Sequence, residues 1–203
     1  MARGRNLYEA VKGQYRNLSE AFEKRSSENF AAASAKPSEP CVFLSHRSTD
    51  KPAVIQIGEY IMSKGIDVYI DIDDPFLQQA VAINDHKAIT AAIELGISKS
   101  TDLLAYLTAK TQSSVWVPYE IGFAKRAGNY LAAMKSKDLA TLPSYLHIVR
   151  EITGIDTLNA YLQEILVRKQ RSPQPMNFSN YVNALLLEKS GSTHPLNSYL
   201  AAK

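Results

Sequence analysis

The segment CVFLSHRSTDKPAVIQIGEYIMSKGIDVYIDI, residues 41–72, reads as a complete strand–helix–strand unit. Val42-Phe43-Leu44-Ser45 is a short apolar run of the buried-strand type. Asp50 then stands at an N-cap position with Pro52 in the first helical turn, where a missing N–H costs nothing. Val54, Ile57, Ile61 and Met62 share one helical face, and Gly65 stops the helix. Val68-Tyr69-Ile70-Asp71-Ile72 is a second strand.

The pattern continues downstream. An acid-rich loop (Asp71, Asp73, Asp74, then Pro75) leads to a helix expected from Asn84 or Asp85, with Ile89, Ala92, Ile93 and Ile97 on one face. Leu103–Leu107 is a third strand. Ser113 or Ser114 caps a third helix that carries Trp116, Ile121 and Ala124 and closes at Gly128. Tyr130–Met134 and His147–Val149 are the expected fourth and fifth strands, and a last helix spans about Asp156 to Val167. Strands separated by helices predict βαβ units and a parallel sheet covered on both faces. Right-handed crossovers favour an α/β, flavodoxin-like doubly wound sheet of order 2-1-3-4-5.

The flanks read differently. Residues 1–30 form an expected amphipathic helix, with Leu7, Tyr8, Val11, Tyr15, Leu18 and Phe22 stepping by three or four residues. Residues 31–40 (AAASAKPSEP) are a linker with two prolines. The sheet domain is expected over residues 41–168. Residues 169–203 are a C-terminal extension that has the loop RSPQP after Gln170, includes a helical candidate at Tyr181–Lys189 and ends in a polar tail.

A chain of 203 residues with 45% hydrophobic and 21% charged side chains can bury a core without disulfide support, and its single cysteine, Cys41, excludes an intrachain bridge. The net charge of +3 is carried by the flanks. Residues 1–40 have seven basic and five acidic side chains, residues 136–203 seven and five, and the middle nine and ten. That falls short of the basic stripe of a nucleic-acid binder. No apolar run is long enough to span a membrane and the start does not read as a signal peptide, so a cytoplasmic protein is expected.

Open α/β sheets bind ligands beyond the carboxyl ends of their strands. Those ends carry Ser45-His46-Arg47, Asp71–Asp74 and Thr108-Ala109-Lys110. Neither a GxxxxGK[ST] loop nor a GxGxxG follows the first strand, which argues against a glycine phosphate cradle. One cysteine and four scattered histidines suggest no metal site. Cys41, at a strand start, reads as a buried inert thiol. The residue that does not fit a plain core helix is Glu120, one turn after Trp116 in SSVWVPYEIGFA. A carboxylate on a buried face is costly unless paired or functional, so either it turns outward, or it pairs with a lysine, or it does chemistry.

Three segments together carry a family resemblance. VFLSHRSTDK (Val42–Lys51), GIDVYIDIDD (Gly65–Asp74) and SSVWVPYEIGFA (Ser113–Ala124) resemble the first box, the strand before the BB loop, and the W-x-x-x-E helix of Toll/interleukin-1 receptor (TIR) domains. The resemblance implies the flavodoxin-like fold and, in catalytic members, cleavage of NAD+ at the nicotinamide–ribose bond to give nicotinamide and linear or cyclic ADP-ribose. It implies Glu120 as the catalytic carboxylate, NAD+ as substrate and no cofactor. Ser45, Arg47, Asp71 and Asp73 fall where members contact the dinucleotide or shape the loop over it. Trp116 has two open readings, an apolar wall for a planar ring or core packing, and His46 is expected to be structural. The BB-loop region (DPFLQQAVAIND) is longer and more apolar than the pattern of animal and plant members.

The compact organisation is similar to bacterial stand-alone TIR proteins of antiphage defence, including the Thoeris type, which implies a separate effector protein that senses the product. Homo-oligomer contacts are expected around Pro75–Asn84 and the Leu7–Phe22 helix. Two other functions stay open: a non-enzymatic TIR adaptor that signals by assembly, and a nucleoside deoxyribosyltransferase-like enzyme, which uses a carboxylate on the same kind of sheet.

Overall fold

The computed structural model describes residues 39–70, 75–170 and 194–202, together with Arg3. Five parallel strands make one sheet: β1 (Cys41–Ser45), β2 (Asp67–Tyr69), β3 (Asp102–Leu107), β4 (Tyr130–Lys135) and β5 (Arg150–Ile152). Their order is β2-β1-β3-β4-β5, as a doubly wound flavodoxin-like sheet requires. Among the described residues, five α-helices connect or follow them: α1 (Lys51–Ser63), α2 (Pro75–Ala82), α3 (His86–Ser98), α4 (Trp116–Ala127) and α5 (Ile155–Gln170).

Strand alternation sorts the core into two layers. Val42 and Leu44 join α1 and α5 in one buried cluster, whereas Cys41 and Phe43 join α2, α3 and α4 in the other. Both layers are apolar, which is why β1 and β3 read as nearly unbroken hydrophobic runs. On the second face Phe43 stacks on Tyr69 with ring centroids 5.6 Å apart. The backbone of α3 approaches this pair so closely that a Cβ on Gly96 would lie 2.6 Å from the Tyr69 ring. Cys41 lies in the same layer, 1% exposed, and burial pushes its thiol up to about 12. At pH 8 only about one thiol in ten thousand is then ionised, so the native protein should resist a thiol reagent such as dithionitrobenzoate. Release of one equivalent only in denaturant is the expected result; rapid labelling of the native chain would contradict this placement.

Several boundaries differ from the sequence reading, each for a physical reason. The fifth strand lies at Arg150–Ile152, after the expected His147–Val149. A 3-10 turn, Ser144–Leu146, drives Leu146 into the core, and Val149 donates its N–H back to the Leu146 carbonyl at 3.2 Å. Ile148 is therefore turned out, 70% exposed, and pairing with Ala132–Met134 begins only at Arg150. The expected BB loop contains a helix, α2, which starts on Pro75 and buries Leu77 and Ala80. Asp85 caps α3 by accepting from the Ala88 N–H at 3.0 Å. Asp50 stands at the N-cap of α1 without a side-chain cap bond. Its carboxylate instead accepts from the Thr108 hydroxyl at 3.0 Å and joins the loops after β1 and β3.

The end of the chain also departs from a polar tail. Leu196 and Leu200 are 0% and 2% exposed and belong to the α1–α5 layer. Ala201 pairs in parallel with Gly154, and its carbonyl accepts from the Ile155 N–H at 2.9 Å, covering the first turn of α5. The expected helix Leu7–Phe22, the linker through residue 38, the helical candidate Tyr181–Lys189, and Asp71 and Asp73 lie outside the described residues. Among the described residues, no helix is long and apolar enough to cross a membrane.

Candidate functional site

The carboxyl ends of β1 and β3 open into a cavity of about 400 Å³ roofed by α2 and the start of α4. His46, Arg47, Lys51, Leu77, Trp116 and Glu120 are among the side chains that line it. The cavity is thus apolar along α2, cationic beside the loop after β1, and carries one carboxylate from α4.

Helix α4 supplies that carboxylate because of its own periodicity. Val117, Glu120, Ile121 and Ala124 form its buried stripe, and Gly128 closes it in the left-handed conformation at φ 75°. Ser114 accepts from the Val117 N–H at 3.4 Å, so it serves the first turn although Val115 holds the N-cap position. Glu120 is 5% exposed. An outward-turned glutamate is therefore excluded. Its Oε2 accepts a hydrogen bond from the hydroxyl of Ser45, which is 1% exposed at the end of β1.

Arg47 donates to the Lys110 carbonyl and, at 2.8 Å, to the Ser113 hydroxyl, so the loop after β3 holds it at the cavity rim. Trp116 packs against the α2–α4 core layer and also lines the cavity. Its ring stands edge-on to Tyr119, with centroids 6.0 Å apart and an interplanar angle of 88°. The Tyr119 hydroxyl donates to Glu94 at 2.5 Å and ties α4 to α3. His46 contacts the Leu44 carbonyl through Nδ1 at 3.0 Å. A carbonyl only accepts, so Nδ1 carries the proton and the tautomer is defined.

The sequence reading named Ser45, Arg47, Trp116 and Glu120, and the structure brings these four together at one end of the sheet. Asp71 and Asp73 fall outside the described residues. Lys51 and Leu77 were missed as lining residues, since each looked like an ordinary helix position. Strand alternation puts Ser45 with Cys41 and Phe43 on the face that α4 covers, but it names no partner for Ser45 there.

A second buried carboxylate shows what a structural one looks like. Asp102, at the far end of β3, accepts from Thr101 at 2.7 Å and Tyr161 at 3.0 Å and is paired with Arg168. Burial holds its carboxyl above the usual range, while these partners pull it back. Asp102 lines no part of the cavity; it fastens α5 to the sheet. Among the described residues, no three His, Cys, Asp or Glu side chains gather as a metal cluster would require. Residues 42–165 match the family model described as TIR domain. No curated protein matches the chain.

Proposed function

We propose, from the premise that this chain belongs to the TIR domain family, that it cleaves NAD+ between nicotinamide and ribose with Glu120 as the catalytic carboxylate. The family includes NAD+ hydrolases and non-enzymatic adaptors. The observation that supports the enzymatic reading is Glu120 itself, a 5% exposed carboxylate that faces a cavity at the carboxyl edge of a parallel sheet.

The chemistry suits such a group. Nicotinamide departs neutral from a pyridinium cation, so its leaving takes both electrons of the glycosidic bond and needs no acid. The ribose carbon becomes oxocarbenium-like, and a carboxylate held beside it stabilises the growing positive charge. Arg47 and Lys51 line the same cavity, and a guanidinium fork suits the diphosphate of a dinucleotide. Trp116 offers an apolar wall. Attack by water then yields ADP-ribose, whereas attack by a group of the same molecule yields a cyclic product, and exclusion of water decides between them. By resemblance to Thoeris-type proteins, the product serves as a signal in bacterial antiphage defence, read by a separate effector protein.

Incubation of the purified protein with NAD+ tests this. Nicotinamide release, accompanied by ADP-ribose or its cyclic form in the mass spectrum, is the expected result. No nicotinamide at enzyme concentrations comparable to substrate would sink it. One observation favours the adaptor reading: Val81 and Ile83, at the end of α2, are 49% and 67% exposed, as contact residues of an assembly would be. An adaptor signals equally well with Glu120→Gln, and an NAD+-cleaving enzyme does not.

A further inference from the structure

Ser45 and Glu120 are each unusual for their place. Cys41, Phe43 and Ser45 point to the layer filled by α2, α3 and α4, where the first two belong to the apolar cluster. Glu120 lies in the buried stripe of α4 between Val117 and Ala124, both 0% exposed. A position of this kind suits leucine or alanine. A carboxylate there carries a desolvation cost, and an apolar pair of similar shape would pack without it. The two polar residues meet each other across this otherwise apolar interface, at the one end of the sheet where the cavity opens.

We propose that Ser45 is a positioning residue for Glu120, one that holds the carboxylate ionised and in a single orientation and does not itself bind the substrate. A serine hydroxyl carries one proton. Here it is donated to Glu120 Oε2, so it is not donated to a ribose or phosphate oxygen of a bound dinucleotide. This departs from the expectation that Ser45 contacts the dinucleotide, and the KM of the variants decides between the two. Ser45 ends β1, a central strand, and its register with Ala105 of β3 fixes the height of the hydroxyl. The carboxylate is thereby referenced to an interior strand of the sheet, as precise placement of a reacting group requires. The proposal rests on the reading of Glu120 as the catalytic carboxylate.

Ser45→Ala removes the donor with little change of shape. Its kcat should fall about tenfold, which is about 1.4 kcal/mol of transition-state stabilisation, with KM within about twofold of the parent. The acid limb of the kcat–pH profile should move to higher pH, because loss of a donor to the charged form disfavours that form. Ser45→Thr keeps the hydroxyl and should restore the limb and most of kcat. A raised KM with unchanged kcat and an unmoved limb overturns the proposal and marks Ser45 as a substrate ligand. Equal losses in both variants with an unmoved limb also overturn it and leave only packing. Should the parent release no nicotinamide, the proposed function fails while the Ser45 assignment is still tested by carbon-13 NMR. The Glu120 carboxyl signal, assigned by its absence from Glu120→Gln, should titrate at higher pH in Ser45→Ala, and identical midpoints overturn the assignment.

Discussion

Glu120→Gln should lower kcat for nicotinamide release by on the order of a thousandfold while leaving the protein at least as stable as its parent. The two halves of this expectation have one cause. Glu120 sits 5% exposed in the apolar stripe of α4, where a charge carries a desolvation cost. Glutamine has the same shape, still accepts from the Ser45 hydroxyl, and removes the charge. A thousandfold corresponds to about 4 kcal/mol of transition-state stabilisation, a plausible share for one preorganised charge beside an oxocarbenium-like ribose. Glu120→Leu removes the acceptor as well and should be the less stable of the two variants, since it leaves the buried Ser45 hydroxyl without its partner. Urea midpoints and initial rates of nicotinamide release together make the check. Activity within tenfold of the parent would remove Glu120 from the chemistry. A large loss of stability in both variants would make the glutamate a structural residue.

The charge in an apolar stripe is also why this part of the site was legible. Helical spacing alone puts Glu120 on the buried face with Ile121 and Ala124, and the order of strands follows from strand and helix periods alternating along the chain. What stayed hidden was decided by contacts distant in sequence. The partner of Glu120 lies 75 residues away, and nothing local to either residue names the other. His147-Ile148-Val149 looks like a strand because it is apolar, but Leu146 takes the core position and Ile148 is left in solvent. The DPFLQQAVAIND stretch reads as loop from its ends, yet Leu77 and Ala80 have the spacing of a short helix packed on the second core layer. Polar neighbours around Leu196 and Leu200 concealed their burial, which Tyr60, Leu158 and their layer provide.

Deletion of residues 194–203 should therefore cost a large part of the folding free energy, more than about 4 kcal/mol of the roughly 5–15 kcal/mol available to a domain. Leu196 and Leu200 are 0% and 2% exposed, and each buried leucine reduced to alanine costs about 2–5 kcal/mol. The backbone contributes too. The first turn of α5 loses the Ala201 carbonyl that accepts from Ile155, and Lys137 loses the Tyr199 carbonyl at 3.0 Å. His194 accepts from the Leu196 N–H through Nδ1 at 3.1 Å and stands edge-on to Tyr60, so the segment is fastened at its start as well. All these contacts lie at the ends of β4 and β5 and against α1 and α5, whereas Glu120 and Ser45 lie on the α4 side of β1. The single variants Leu196→Ala and Leu200→Ala should each lower the urea midpoint strongly yet leave kcat unchanged at temperatures where the protein is folded. An unchanged midpoint in the truncated chain would show the segment to be an ornament. A fall in kcat without a fall in stability would instead connect the β5 end of the sheet to the cavity beside β1, across two strands that give no sign of transmitting it.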